Sequence, residues 1–198
     1  MAKLYFNYAA MNAGKSTTLL QASFNYRERG MRTFEFTAEL DDRDDSGSIS
    51  SRIGLKKNAY SFAKDTDLHD VVTEQNQNQK IDCIFLDEAQ FLSEKQVMQL
   101  SCIVDELGIP VICYGLRTDF RGELFEGSAR LLAIADEIRE LKTICHCGGK
   151  AIMNLRIDES GQAVTHGAKI EIGGNDRYTA LCRKHFYDAF GRDLDSTP

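Results

Sequence analysis

The stretch YAAMNAGKSTTLL, residues 8–20, decides how the rest of the chain is read. A phosphate-binding loop has the form G-x-x-x-x-G-K-[ST] and sits between a strand and a helix. Gly14-Lys15-Ser16 supply the second half of that pattern, whereas Ala9 stands at the first glycine. The apolar run Leu4 to Tyr8 reads as the preceding strand, and Ser16 to Arg29 as a helix stopped at Gly30. In such a loop successive backbone N–H groups line a concavity, and the helix N-terminus adds positive potential. Gly14 permits close backbone approach, Lys15 reaches the β- and γ-phosphates, and the Ser16 hydroxyl suits Mg²⁺. Ala9 is acceptable where the position demands small volume and not glycine's access to positive φ.

Working outward, short apolar runs alternate with amphipathic stretches. TFEFT at 33–37 predicts a second strand, and IDCIFLD at 81–87 a strand buried on both faces. Ser93 followed by Gln96 predicts a capping box for a helix reaching Leu107. PVICYG at 110–115 predicts another buried strand, and helical spacing resumes from Phe125 to Ala135. This alternation predicts an α/β fold, a parallel sheet flanked by helices. LDDRDDSGSISSR at 40–52 reads as a mobile surface loop, EQNQNQK at 74–80 as a short polar connection, and DESGQ at 158–162 as a hairpin turn. After Thr143 short strands, turns and metal-ligand residues take over. The chain is therefore expected to divide into residues 1–142, a nucleotide-binding domain, and residues 143–198, a small zinc-binding lid.

The formal net charge of the 198-residue chain is −6, which argues against sequence-independent nucleic-acid binding through phosphate neutralisation. No stretch approaches the roughly 20 apolar residues of a membrane span, and the N-terminus lacks the pattern of a signal peptide. Cytoplasmic residence is the expectation. There, six cysteines do not make a disulfide framework. Cys83, Cys102 and Cys113 lie in apolar segments and read as small core residues.

The strand at 81–87 delivers Asp87 and Glu88 to its C-terminal end, where ligands bind in open α/β sheets. An acid so placed holds Mg²⁺, and its neighbour can act as a base. Asp87-Glu88-Ala89-Gln90 also resembles the acidic box of nucleic-acid motor ATPases. Motors need a second domain or ring interface and basic strand-tracking surfaces. A single acidic domain supplies neither, so a kinase is favoured over a RecA-like ATPase stimulated by nucleic acid. A third reading is a non-catalytic ATP-binding or zinc-dependent interaction module.

Cys145-His146-Cys147 and Cys182-Arg183-Lys184-His185 form two close pairs separated by a hairpin's length of chain, the arrangement of a structural zinc ribbon. Cys145, Cys147, Cys182 and His185 make a tetrahedral set, with His146 as an alternative ligand. The segment between the pairs has too little apolar content to fold alone. Tying its base with zinc would make it a lid, and lids exclude water from phosphoryl-transfer sites.

With these residues assembled, the sequence resembles the zinc-containing thymidine kinases of bacteria and animals. The resemblance is carried by MNAGKS in the loop, SSRIGL at 50–55, LDEAQF at 86–91, YGLRTDFRGELF at 114–125, CHC at 145–147, IGGNDRY at 172–178 and CRKH at 182–185. It implies a RecA-like parallel sheet with a zinc lid, transfer of the γ-phosphoryl of ATP to the 5′-hydroxyl of thymidine or deoxyuridine, and dependence on Mg²⁺. By the same resemblance Glu88 is the general base, Lys15 and Ser16 are phosphate and metal ligands, Asp87 is the acid near Mg²⁺, and Arg52 stands by the transferred phosphate. The ATP site comprises Ala9, Ala10, Met11, Asn12, Ala13, Gly14, Lys15, Ser16, Asp87, Glu88, Ala89 and Gln90. Met11, Leu116, Phe120, Phe125, Ile170, Ile172, Gly173 and Tyr178 fall at or near nucleoside-binding positions. The resemblance further implies a homotetramer inhibited by thymidine triphosphate.

Overall fold

The computed structural model describes residues 1–39, 47–167 and 177–191. Its centre is a six-stranded, all-parallel sheet built from β1 (Leu4–Ala9), β2 (Thr33–Ala38), β5 (Tyr60–Phe62), β6 (Cys83–Leu86), β7 (Val111–Leu116) and β8 (Glu137–Glu140). The strand order is β5-β2-β6-β7-β1-β8. Each residue of β6 is buried, as a near-continuous apolar run requires in a strand covered on both faces. The sheet is flanked by α1 (Lys15–Glu28), α2 (Leu68–Asn78), α3 (Glu94–Leu107) and α4 (Glu126–Ile134). Ser93 and Gln96 complete the expected reciprocal capping box on α3, and Gly108 ends that helix in the left-handed region at φ 66°.

The main apolar cluster joins Phe6, Phe36, Ile84 and Val111 of the sheet to Val72 of α2 and Leu100 and Ile103 of α3. Across the sheet, Leu19 and Leu20 of α1 pack with Phe85 and Tyr114. Chain order and sheet order differ in one consequential way. From β1 the chain crosses through α1 to β2, passing over the positions of β7 and β6. The C-terminal ends of β6, β7 and β1 thus lie side by side at the crevice where ligands bind in such sheets.

The described parts of the polar stretches are more ordered than their composition predicts. Glu74 to Asn78 continue α2 and are not a connection, because Leu68 and Val72 earlier in the helix anchor it in the core. Ser48–Ser50 form β3, paired antiparallel with β4 (Lys56–Asn58), so the end of the expected surface loop is one arm of a hairpin. The reason is a single apolar residue. Ile49, 2% exposed, packs against Leu19, Leu20 and Phe85. Residues 40–46 of that stretch lie outside the described residues. Cys83 and Cys113 are buried as expected, whereas Cys102 on α3 is only partly covered.

Beyond β8 the chain forms two small antiparallel pairs. β9 (Thr143–Ile144) pairs with β10 (Lys150–Ala151), and β11 (Met153–Arg156) with β12 (Tyr178–Leu181), before α5 (Arg183–Phe190). Cys145, Met153, Leu155, Leu181 and Phe186 make a third apolar cluster. The turn at 158–162 is present. The Asp158 carboxylate accepts from the amides of Ser160 and Gln162, and Gly161 takes φ 80°. Among the described residues no helix is long and apolar enough to cross a membrane.

Candidate active site

The loop after β1 answers the question posed by Ala9. Ala9 is the last residue of β1, buried and in parallel register with Leu116. Positive φ falls instead on Asn12 (64°) and Gly14 (78°). Ala9 therefore needs only a small side chain, and the left-handed turns come later in the loop, where Asn and Gly tolerate them. Gly14 caps α1 without a side-chain bond, leaving the first helical amides to serve an anion. Lys15 is half-buried, its Nζ 3.4 Å from the Ala10 carbonyl oxygen. Burial lowers its pKa, and Glu88 and Asp87 oppose that shift.

Asp87, 4% exposed, follows the last residue of β6 and accepts a hydrogen bond from the Ser16 side chain. Burial raises its pKa well above the usual carboxylate range, and Glu88 raises it further; Ser16, the Glu88 amide and Lys15 pull the other way. A cation between Ser16 and Asp87 would relieve this cost, so the donor pair fits Mg²⁺. Glu88 occupies the left-handed region at φ 56°, ψ 38°, a conformation that costs a non-glycine residue about 1–3 kcal/mol. Its amide donates to Asp87 Oδ1 at 3.0 Å, and its carboxylate accepts from Gln90 Nε2. Gln90 Oε1 in turn accepts the Leu116 amide at 2.9 Å, which fixes the orientation of that side-chain amide. Gln90 is thus a strut between the ends of β6 and β7, with Ala89 fully buried beside it. Two glycines allow this packing. A Cβ at Gly115 would lie 2.9 Å from Gln90 Oε1, and one at Gly127 would lie 2.6 Å from the Ala89 carbonyl oxygen.

Arg52 lies exposed in the turn of the β3–β4 hairpin, close enough to Lys15 to lower its pKa. On the other flank, Leu116 ends β7, while Phe120 and Phe125 are 1% and 8% exposed. Phe125 packs edge-on against Phe91, with ring centroids 5.9 Å apart. The Arg156 guanidinium sits 3.9 Å from the centre of the Phe120 ring, and Arg156 is the register partner of Tyr178. Asn154, which carries no motif, links these parts. Its Oδ1 accepts the Met11 amide at 2.7 Å, and its Nδ2 donates to the Thr118 carbonyl at 3.2 Å. No local pattern marks Asn154, because its partners lie 143 and 36 residues away in sequence. Ile170, Ile172 and Gly173 lie outside the described residues.

Cys145, Cys147, Cys182 and His185 place one donor atom each within 4.8 Å of one another. Backbone geometry explains the meeting. Cys145 opens a turn in which its carbonyl accepts the Gly148 amide and its amide donates to Gly149, with Gly148 at φ 80°. Cys182 is the N-cap of α5, so His185 lies one turn on, on the same side. His185 Nδ1 is 3.2 Å from the Cys182 sulfur and 3.5 Å from that of Cys145. A tetrahedral zinc with Zn–S bonds of about 2.3 Å spaces its ligand atoms by about 3.5–3.8 Å, so the cluster has the right size. Burial disfavours the Cys145 thiolate, yet bonds from the Cys147 and Cys182 backbone and the His185 side chain pull the thiol down to about 6. His146 packs against the His185 ring at 4.3 Å between centroids and stands outside the four-donor set.

A family model described as thymidine kinase matches residues 2–186. Similar proteins include the thymidine kinase of Novosphingobium aromaticivorans, 62% identical over 192 residues that cover 97% of this chain and 100% of the relative. That of Photobacterium profundum is 59% identical with the same coverage. The thymidine kinase of Zymomonas mobilis is 58% identical over 188 residues, 95% of this chain and 97% of the relative.

Proposed function

The chain belongs to the thymidine kinase family, and on that premise we propose that it transfers the γ-phosphoryl of ATP to the 5′-hydroxyl of thymidine, and of deoxyuridine. The products are ADP and the nucleoside monophosphate, so the reaction serves pyrimidine deoxynucleoside salvage. The observation that carries this reading is the adjacency of two carboxylates at the end of β6 to Lys15 and Ser16 at the start of α1. Glu88 accepts the 5′-hydroxyl proton as that oxygen attacks the γ-phosphorus, and the bond to the β,γ-bridging oxygen breaks toward ADP. Lys15 and the loop amides hold the β- and γ-phosphates, and Arg52 meets charge on the group in transit. Mg²⁺ held by Ser16 and Asp87 would neutralise charge on the β- and γ-phosphates.

Met11, Leu116, Phe120, Phe125 and Tyr178, with Ile170, Ile172 and Gly173, form the nucleoside wall in this reading. Residues 1–142 are the nucleotide-binding domain and residues 143–198 the lid, with structural Zn²⁺ on Cys145, Cys147, Cys182 and His185. A cytoplasmic homotetramer, inhibited by thymidine triphosphate spanning the nucleoside and phosphate sites, completes the proposal. The test is incubation with ATP, Mg²⁺ and each nucleoside in turn, following nucleoside monophosphate. Thymidine is expected to stimulate ATP consumption, and single-stranded DNA or RNA is not. Stimulation by nucleic acid without monophosphate would point to a motor ATPase, and ATP binding without turnover to an interaction module.

A further inference from the structure

The β3–β4 hairpin carries Arg52 at its tip, yet the tip itself has little to hold it. Ile53 and Leu55 are 70% and 40% exposed, and among the described residues the turn is closed by local bonds between Ser51, Gly54 and Leu55. What fixes the hairpin is at its base. β3 contributes the buried Ile49, and directly opposite it in register β4 contributes Lys57. Lys57 is half-buried, between the exposed Lys56 and Asn58. Its Nζ donates to Ser23 Oγ on α1 at 3.0 Å, to Thr33 Oγ1 on β2 at 2.9 Å, and to the Glu35 carboxylate on β2. Ser23 also donates to Glu35 at 2.6 Å. Glu35 and Ser23 are 5% and 0% exposed, so a charge pair and two hydroxyls have been withdrawn from solvent at this point.

A buried ionic cluster of this kind is a poor source of net stability, since desolvation offsets most of the attraction. It does impose one geometry, because the Lys57 ammonium is held by directional bonds to Ser23, Thr33 and Glu35, and Ser23 bonds Glu35 in turn. Arg52 lies on the same hairpin, separated from Lys57 by four residues of chain, and stands within electrostatic reach of Lys15.

We infer that Lys57, seated on Glu35, Ser23 and Thr33, is a positioning residue that sets where Arg52 stands relative to the transferred phosphoryl group. The inference rests on the assignment of Arg52 above. Its test is a cycle in the full chain, combining Lys57→Met/Glu35→Gln with Arg52→Ala and measuring single-turnover thymidine phosphorylation. The paired change removes both charges together, so neither is left buried alone. In the wild-type background the pair is expected to slow phosphoryl transfer roughly 10- to 100-fold, the scale of a misplaced catalytic group. The KM for thymidine should stay within about twofold, because the stem does not reach the nucleoside wall. In the Arg52→Ala background the same pair should cost almost nothing further. Hydrogen exchange should quicken in residues 48–58 of the paired variant while α1 and β2 stay protected. If the paired variant does not fold, Thr33→Val removes one of the three bonds and should show a smaller loss with the same dependence on Arg52. Equal losses in both Arg52 backgrounds, or a folded stem variant with unchanged turnover, would overturn the inference while leaving Arg52 in its role. A harmless Arg52→Ala would overturn both.

Discussion

The ends of β1 and β6 and the four-donor cluster near the C-terminus are held by different forces. Asp87 and Glu88 stand at the end of a wholly buried strand, with Gln90 and the Leu116 amide bracing them. That support comes from apolar packing, backbone ladders and the Gln90 side-chain bonds, none of which calls for a metal. The cluster of Cys145, Cys147, Cys182 and His185 has a small apolar core of its own, and Cys147 is exposed. Its donors have the dimensions of a zinc site, and metal binding to such a set contributes directly to folding free energy. The residues at the strand ends should therefore tolerate loss of their chemistry without loss of fold, and the C-terminal donor cluster should not.

The largest effect expected is that of Glu88→Gln. The substitution keeps shape and hydrogen bonding but removes the proton acceptor, so single-turnover phosphorylation should fall by about 10²–10⁴-fold. ATP affinity should change little, because loop amides and Lys15 hold the phosphates. Lys15→Ala should weaken both ATP binding and turnover. A well-folded Glu88→Gln enzyme within about threefold of wild type would end the general-base assignment.

Next comes the lid. Wild-type protein should hold about one zinc per chain, and Cys182→Ala should lower zinc content and reduce activity by at least the roughly 10–100-fold cost of disturbing a metal ligand's supporting shell. Most of the helical circular dichroism should remain, since α1 to α4 pack on the sheet. Full metal retention in the variant, or elemental analysis of wild type without zinc, would remove the ligand assignment.

A smaller effect of opposite sign is expected at Asp87. Its raised pKa means that the folded apo protein binds a proton the unfolded chain has released. Stability contributed by this group is thus fully present below the ordinary Asp pKa of 3.8 and lost as pH rises through the raised folded value. Asp87→Asn should therefore stabilise the metal-free protein at neutral pH, by about 1–3 kcal/mol, while lowering Mg²⁺-dependent turnover. Thermal melts of both proteins across that pH range provide the check. Equal melting temperatures at neutral pH would show that Asp87 is not held at a cost.

The smallest expected effect lies away from both regions. Ser93→Ala removes the α3 cap and should cost about 1 kcal/mol of stability with turnover unchanged. A loss of activity there would mean that the phosphate site is less independent of its scaffold than the comparison holds.

Much of this protein is local chemistry and was legible in the chain. The strands at 4–8, 81–87 and 110–115 announce themselves by apolar runs, α3 by its capping box, and the loop between β1 and α1 by Gly14-Lys15-Ser16. The four donors that gather near the C-terminus come as two short-range pairs, so residue type and spacing single them out before any fold is known. Tertiary structure decided what depends on partners distant in sequence. α2 runs through EQNQN because Leu68 and Val72 anchor its start, and β3 exists because Ile49 finds Leu19 and Phe85. Composition alone counts those segments as polar. Asn154 bridging Met11 and Thr118, Gln90 spanning β6 and β7, and Lys57 reaching Glu35 are likewise invisible in the sequence. A side-chain bond across 22 to 143 residues leaves no periodicity, and only the closed fold brings the partners within hydrogen-bond distance.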